Sequence, residues 1–280
     1  MSTWKIVTDS SSNLVFGMPC APGVSFAVAP LKINVGDSQF VDNDQLDVRE
    51  MMRTMEACES GASTACPSPE DFASHFREAD CSIAITITGS LSGTYNSALV
   101  ARDMVLDEFP DKKIHVIDSK STAGPLSMVA KRINELIAQG LSFEDVCREA
   151  DAYAASRELL FTLSSFENLM KNGRMNRLAG LVATKLNIRA IGRADDGKLA
   201  ILHKVRGEAH TFSKLVSEMG NWKDMSACER VVISHCFNEM GAALIKKLIE
   251  REYPGVPVEI EATRGLNSFY AERSGILVAF

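Results

Sequence analysis

Three stretches rich in hydroxyl side chains each follow a predicted strand, at residues 8–12, 89–94 and 118–122. Ligands of open parallel sheets bind beyond the carboxyl ends of the strands, so we expect the three stretches to converge at one edge. Hydroxyls such as that of Ser10 and backbone N–H groups can donate to a carboxylate, and Gly89 and Gly93 would let the backbone approach it. The pattern therefore indicates an anion site made of uncharged donors.

The same serines and threonines have a second interpretation. Ser and Thr side chains at strand-to-helix junctions commonly cap the helix that follows, by accepting from its first N–H groups. Capping and anion binding can coexist in different residues. The spacing alone leaves both roles open.

Catalysis by these stretches has less support. The nucleophile elbow of α/β-hydrolases, G-x-S-x-G, places serine midway between two glycines, and Leu91 holds that position between Gly89 and Gly93. A triad would also need a histidine, and none of those late in the chain has a catalytic setting. These are His203, His210 and His235. A hydrolase or transferase using Ser92 or Ser90 stays open as an alternative; phosphate-loop and dinucleotide motifs are absent from the sequence.

Composition narrows the class of protein. With 280 residues, 46% of them hydrophobic and 24% charged, the chain is long enough for two globular domains. The net charge of −6 and the short basic stretch at residues 171–177 argue against nucleic acid. No signal peptide and no run of about 20 apolar residues is present, which predicts a cytoplasmic protein. Seven cysteines without a C-x-x-C pair predict reduced thiols and no metal site.

The order of predicted elements indicates an α/β fold. Over residues 1–155, strands at 4–8, 82–88 and 113–118 alternate with helices, which is typical of a parallel sheet. Over residues 156–280, a hairpin with an Asp-Gly turn, further strands and two helices predict an α+β domain with a mixed or antiparallel sheet. Residues 24–35 are predicted to be extended and residues 44–58 to be helical. Capped helix starts are predicted at Ser68 and Ser142.

A basic turn follows a short helix predicted from Ser165. Gly173 is expected to end that helix and to leave Arg174 and Arg177 exposed. Solvated surface charge is one interpretation. An arginine on a rigid turn is also suited to contact a phosphoryl group or an acidic partner.

Five motifs, in order and over most of the chain, resemble the DegV family. They are KIVTDSSSNL, STACPSPEDF, ITITGSLSGTYNSALVAR, VIDSKSTAGPL and FENLMKNGRMNR, of which LSGTYNSA is the most specific. That family includes the fatty-acid-binding B subunits of bacterial fatty acid kinase.

The resemblance implies a carrier that is not itself an enzyme. It implies two domains enclosing one fatty acid, palmitate- or oleate-like, in an apolar tunnel at their interface, with no other cofactor. By motif, the carboxylate contacts are Thr64 and Ser92, with Gly93 and Thr94 beside them. Arg174 matches an arginine associated with presenting the acid to a partner kinase, which binds ATP and forms the acyl phosphate.

The chain departs from the family pattern in two motifs. Where relatives have a histidine motif resembling GTHxGPGALG, this chain has TRGLNSFYAER at residues 263–273, and Arg264 or Tyr270 is expected to replace the histidine contact. The family's TSQ is here Thr64, Ala65 and Cys66. These departures keep a carrier of another amphiphilic acid as an alternative.

Overall fold

A computed structural model describes residues 2–58, 61–175 and 188–280. The chain divides into two compact units, the first formed by Met1–Ser156 with Arg264–Leu266 and the second by Arg157–Thr263 with Asn267–Phe280. The return of three residues from the C-terminal part to the first unit was not expected from the sequence.

The first unit contains a parallel sheet with helices on both faces. In chain order its elements are β1 (Trp4–Asp9), β2 (Val24–Ala29), β3 (Lys32–Val35), β4 (Ser38–Val41), α1 (Val48–Ala57), β5 (Ala62–Ala65), α2 (Pro69–Arg77), β6 (Cys81–Thr86), α3 (Thr94–Glu108), β7 (Lys113–Asp118), α4 (Gly124–Ala138) and α5 (Phe143–Ala155). The four parallel strands have the order β2-β1-β6-β7. The predicted parallel sheet is therefore confirmed.

Alternate residues of the parallel strands enter two cores. Ile6 and Ile83 pack in a cluster with Leu126 of α4, whereas Val7 belongs to a cluster with Phe72 of α2. All six residues of β6 are buried, as expected for a central strand covered on both faces. This packing fixes where the carboxyl ends of β1, β6 and β7 lie.

The predicted helix starts are confirmed where a serine caps them. Ser68 and Asp71 form a reciprocal capping box at α2, and the Ser142 side chain accepts from Asp145 N at α5. The predicted start of α1 at residue 44 is wrong by four residues. The helix begins at Val48 because the Asp47 side chain caps it.

A second, antiparallel sheet of the first unit was not predicted. Its order is β4-β3-β5, and β5 carries Thr64. Residues 24–35 were expected to be extended, but the short, polar strands β4 and β5 carry no hydrophobic alternation.

The second unit contains a mixed sheet. Its elements are β8 (Leu159–Leu163), α6 (Glu167–Lys171), β9 (Ile188–Asp195), β10 (Lys198–Arg206), α7 (Glu208–Trp222), β11 (Val231–His235), α8 (Glu239–Glu252), β12 (Val258–Ala262), α9 (Gly265–Ala271) and β13 (Ile276–Ala279), of which α9 begins on residues of the first unit. The strand order is β10-β9-β8-β13-β11-β12, and only the pair β11 and β12 is parallel.

The predicted hairpin of the second unit is confirmed. Asp196 and Gly197 join β9 to β10 with φ angles of 44° and 79°, which are those of a two-residue turn that favours Asp-Gly. Strand β8 was not predicted, because a short run of four apolar residues and Thr162 fits a helix as well as a strand.

Candidate functional site

Three loops converge at the carboxyl edge of the parallel sheet. The N–H of Thr88 donates to the Ser121 carbonyl at 2.9 Å, and the N–H of Ala123 donates to the Ser11 carbonyl at 2.9 Å. The Asp9 carboxylate accepts from the N–H of Ile87 at 2.6 Å. We call these linked loops, residues 9–12, 87–94 and 118–123, the hydroxyl edge.

Asp9 is the buried acceptor at the centre of the hydroxyl edge. Its side chain is fully buried and also accepts from the N–H of Ser11 at 2.9 Å. Burial raises the pKa of Asp9 to about 6, against the opposing effect of hydrogen bonds from Ser11 and Ile87. Asp9 therefore ties the end of β1 to the end of β6.

Ser92 lies between β6 and α3 with its hydroxyl 2.8 Å from that of Thr94. The N–H of Ser92 donates to the Thr88 carbonyl at 3.2 Å, and Ser92 Oγ accepts a 3.3 Å bond from the N–H of Thr94. Gly93, the N-cap residue of α3, is exposed and has no side-chain cap. At the start of α3 the capping interpretation therefore rests on the long contact from the N–H of Thr94 to Ser92.

Thr64 reaches the same region from the antiparallel sheet. It pairs with Ile33 across β3 and is half-buried, whereas its neighbour Ser63 is exposed. Two residues later, Cys66 Sγ lies 3.9 Å from Ser97 Oγ, and a Cβ atom added to Gly93 would come within 3.3 Å of Cys66 Sγ. The connection from β5 to α2 therefore lies against the start of α3, so the two motifs proposed for the carboxylate are adjacent.

Ser10 serves a structural contact that the sequence did not predict. Its buried hydroxyl accepts from the N–H of Leu31 at 3.1 Å and donates to the Asp42 carboxylate. Asp42 also accepts from the N–H groups of Gly265 and Leu266, each at 2.8 Å. Burial raises the pKa of Asp42. Asp42 follows β4, and no local pattern marks it as the residue that receives the start of α9.

The two residues proposed to replace the family's histidine have separate surroundings. Arg264 donates from Nη2 to the carbonyls of Asn43 at 2.9 Å and Leu46 at 3.2 Å. Tyr270 is half-buried and meets Phe269 edge-on, with ring centroids 4.8 Å apart. The Arg264 guanidinium is therefore engaged in holding the loop after β4, and a head-group contact by either residue stays a prediction.

Arg174 lies on a well-defined turn in the second unit. The N–H of Gly173 donates to the Met170 carbonyl at 3.1 Å and that of Arg174 donates to the Leu169 carbonyl at 2.8 Å, which is the Schellman pattern. Gly173 has a φ angle of 72°, so the predicted end of the helix at this glycine is confirmed. Arg174 is half-buried rather than exposed, and Arg177 lies outside the described residues.

No catalytic pair is formed by Ser92 within the described residues, where its hydroxyl bonds only with Thr94. His203 contacts Glu218 at 2.8 Å. His235 is buried, which lowers its pKa, and accepts from the N–H of Asn238 at 3.3 Å.

Two kinds of feature are missing from the part of the chain that the structure describes. Over these ranges no group of three or more His, Cys, Asp or Glu side chains could hold a metal ion. Their helices also include none with the length and apolar character needed to cross a bilayer.

Comparison with known proteins identifies the family. A family model described as "Uncharacterised protein, DegV family COG1307" matches residues 3–276. A DegV domain-containing protein of Streptococcus pneumoniae (strain ATCC BAA-255 / R6) is 40% identical over 279 residues, which cover 99% of both chains.

Solved structures that are similar over 99% of both chains include two with bound fatty acid. The crystal structure of the Streptococcus pneumoniae fatty acid kinase B3 protein loaded with linoleic acid has a TM-score of 0.95 and 39% identity. A DegV family protein of Eubacterium eligens loaded with heptadecanoic acid has a TM-score of 0.92 and 32% identity. The chain described here belongs to the DegV family.

Proposed function

We propose that this protein binds one long-chain fatty acid and presents its carboxylate to an ATP-dependent kinase. The observation that carries the proposal is the adjacency of the Thr64 connection and the Ser92 loop at the hydroxyl edge. Similar proteins of Streptococcus pneumoniae and Eubacterium eligens, loaded with linoleic and heptadecanoic acid, support the same ligand class.

The head group is held by neutral donors in this proposal. The hydroxyls of Ser92 and Thr94 lie 2.8 Å apart, so one O–H is used between them and the other is left to donate to a carboxylate oxygen. The N–H of Gly93 and the hydroxyl of Thr64 are the further donors we assign. Hydrogen bonds to an ionised acceptor are about twice as strong as neutral ones, so few donors suffice.

The acyl chain supplies most of the affinity. Burying a 16-carbon chain at about 0.8 kcal/mol per CH₂ gives on the order of 10 kcal/mol before the costs of association. A buried lysine or arginine partner for the carboxylate is then unnecessary. The departures at Cys66 and Arg264 change the surroundings of the head group without removing the hydroxyl donors.

The carboxylate would become an acyl phosphate on the kinase. One carboxylate oxygen attacks the γ-phosphorus of ATP, the bond from that phosphorus to the bridging β,γ-oxygen breaks, and ADP leaves. We assign to Arg174 a contact with the kinase. The ATP site is assigned to the kinase, in line with the lack of a nucleotide motif in the sequence of this chain.

Mass spectrometry of lipid extracted from the purified protein tests the proposal. We expect one fatty acid per chain, exchangeable for added oleate. Protein that is empty as purified and binds neither oleate nor palmitate would refute it. With purified Streptococcus pneumoniae fatty acid kinase and ATP, we expect ADP release to require both oleate and this protein.

A further inference from the structure

The helix that precedes the Arg174 turn is too short to hold its own position. Helix α6 has five residues, and isolated helices below roughly 12 residues are marginal in water. Its C-terminal end is closed by the Schellman bonds at Gly173 and Arg174. The position of the turn that bears the arginine therefore depends on the contacts that fix the N-terminal end of α6.

One carboxylate fixes that N-terminal end. Glu272 Oε1 accepts from the hydroxyl of Ser165 at 2.9 Å and from the N–H of Asn168 at 3.2 Å. The N-cap residue of α6, Phe166, makes no side-chain cap. Instead, Ser165 Oγ accepts from the N–H of Glu167 at 3.1 Å, and Glu272 accepts from the next N–H, that of Asn168, while it also holds the Ser165 hydroxyl.

Further bonds tie the same segment to the residues around Glu272. Asn168 Nδ2 donates to the Phe269 carbonyl at 2.8 Å, and Ser164 Oγ donates to the Arg273 carbonyl at 2.6 Å. Glu272 has a φ angle of 53°, and its N–H donates to the Ser268 carbonyl at 3.0 Å. Its carboxylate is partly buried, which raises its pKa.

At the other end of α6 the arginine side chain is also oriented. Arg174 Nη1 donates to the carbonyl of Asn172, and Asn172 Nδ2 donates to the Asn168 carbonyl at 2.9 Å. Asn168 is the residue whose N–H Glu272 accepts. A continuous set of hydrogen bonds therefore runs from Glu272 through Asn168 and Asn172 to Arg174.

We propose that Glu272 is the positioning residue for Arg174: by accepting from Ser165 and Asn168 it fixes α6 and holds the arginine for contact with the kinase. This inference rests on the proposed function, because it gives Arg174 a partner to contact. Glu272 itself touches neither the fatty acid nor the kinase in this account.

Coupled turnover by Streptococcus pneumoniae fatty acid kinase, with ATP and oleate, tests the inference in a mutant cycle. We expect Glu272→Ala to raise the KM for this carrier about fivefold with kcat retained, because the binding-competent position of the turn becomes less populated. In an Arg174→Ala background, Glu272→Ala should change KM by less than twofold, since it acts through the arginine. Bound oleate, measured by mass spectrometry, should be equal in all four proteins.

Conservative variants separate positioning from folding. Glu272→Gln keeps an acceptor oxygen and should restore most of the wild-type KM. Ser165→Ala removes the hydroxyl donor to Glu272 and the acceptor of the Glu167 N–H but leaves the bond from Glu272 to Asn168, so it should raise KM by a smaller factor and keeps the test available if Glu272→Ala fails to fold. Glu167→Ala, on the same helix and paired with Lys171, is the control and should leave KM unchanged.

The outcomes distinguish three failures. If Glu272→Ala raises KM fivefold in both backgrounds, or does not raise it in the wild-type background, the inference is overturned and the proposed function stands. A wild-type protein that binds oleate but is not turned over by the kinase overturns the proposed presentation role and this inference with it. A wild-type protein that binds no fatty acid refutes the proposed function at its first step.

Discussion

The hydroxyl edge of the first unit and the Arg174 turn of the second are both held by a carboxylate that accepts backbone N–H groups. At the hydroxyl edge Asp9 is fully buried and joins two strands of a regular sheet. At the turn Glu272 is partly exposed and caps a five-residue helix. The first arrangement fixes the ends of two sheet strands, and the second fixes one short helix and the turn that follows it.

Both carboxylates should make the stability of the protein depend on pH, and the effect of Asp9 should be larger than that of Glu272. The pKa of Asp9 is about 6 in the folded protein and near 3.8 when unfolded. A raised carboxyl pKa stabilises the folded state fully below the unfolded pKa, and that contribution is lost as pH rises through the folded pKa. Between pH 4 and pH 6.5 the unfolding free energy of wild type should fall by about 2 kcal/mol relative to Asp9→Asn.

Chemical denaturation at a series of pH values measures this difference. Glu272→Gln should show the same sign with a smaller amplitude, because burial raises the Glu272 pKa but its side chain is partly solvated. A pH profile that Asp9→Asn leaves unaltered would mean that Asp9 is not the buried acceptor of the edge.

A substitution in the hydroxyl edge should weaken fatty-acid binding, whereas a substitution at the Arg174 turn should not. Ser92→Ala should weaken oleate binding about tenfold or more, the effect of removing a hydrogen bond to a charged group. Ser90→Ala, at an exposed position of the same loop, is the matched control. Arg174→Ala should leave the affinity unchanged. Isothermal titration of delipidated protein gives the three values, and equal losses in Ser92→Ala and Arg174→Ala would remove the division of roles.

Thr64→Val should have the next largest effect on affinity. It keeps the shape of the side chain and the β-branched preference of strand β5 but removes the hydroxyl. We expect oleate binding to weaken about fivefold. Ser63→Ala, the exposed neighbour on the same strand, should bind as wild type does. Unchanged affinity in Thr64→Val would leave Ser92 and the start of α3 as the remaining head-group contacts.

The smallest effect should come from backbone strain at the hydroxyl edge. Ala123 is buried with φ 56° and ψ −125°, a conformation that glycine adopts more readily. Ala123→Gly should raise the unfolding free energy by about 0.5 kcal/mol, because relieved strain slightly exceeds the lost methyl burial and added chain entropy. Ala130→Gly, inside α4, should instead lower it by about 1 kcal/mol. If thermal denaturation shows a similar decrease in unfolding free energy for Ala123→Gly and Ala130→Gly, Ala123 is unstrained.

Much of the hydroxyl edge could be predicted because its signals are local. Strands followed by serine- and threonine-rich loops predicted the convergence, and Ser68 and Ser142 predicted their helix starts. The Asp-Gly hairpin was predictable for the same reason, since its turn geometry depends on two adjacent residues, Asp196 and Gly197.

The parts that were missed depend on partners far apart in sequence. Asp42 receives the N–H groups of Gly265 and Leu266, and Glu272 receives that of Asn168, without any local pattern to indicate it. The family motif predicted Thr64 as a carboxylate contact, but the strand that carries it is too short and polar to be predicted from periodicity.

Carbon-13 NMR of oleate labelled at its carboxyl carbon tests most directly whether the hydroxyl edge holds the carboxylate. We predict one bound carboxyl signal in wild type, which shifts in Ser92→Ala and in Thr64→Val and stays in place in Ser90→Ala and Arg174→Ala. A bound signal that neither Ser92→Ala nor Thr64→Val moves would contradict the account.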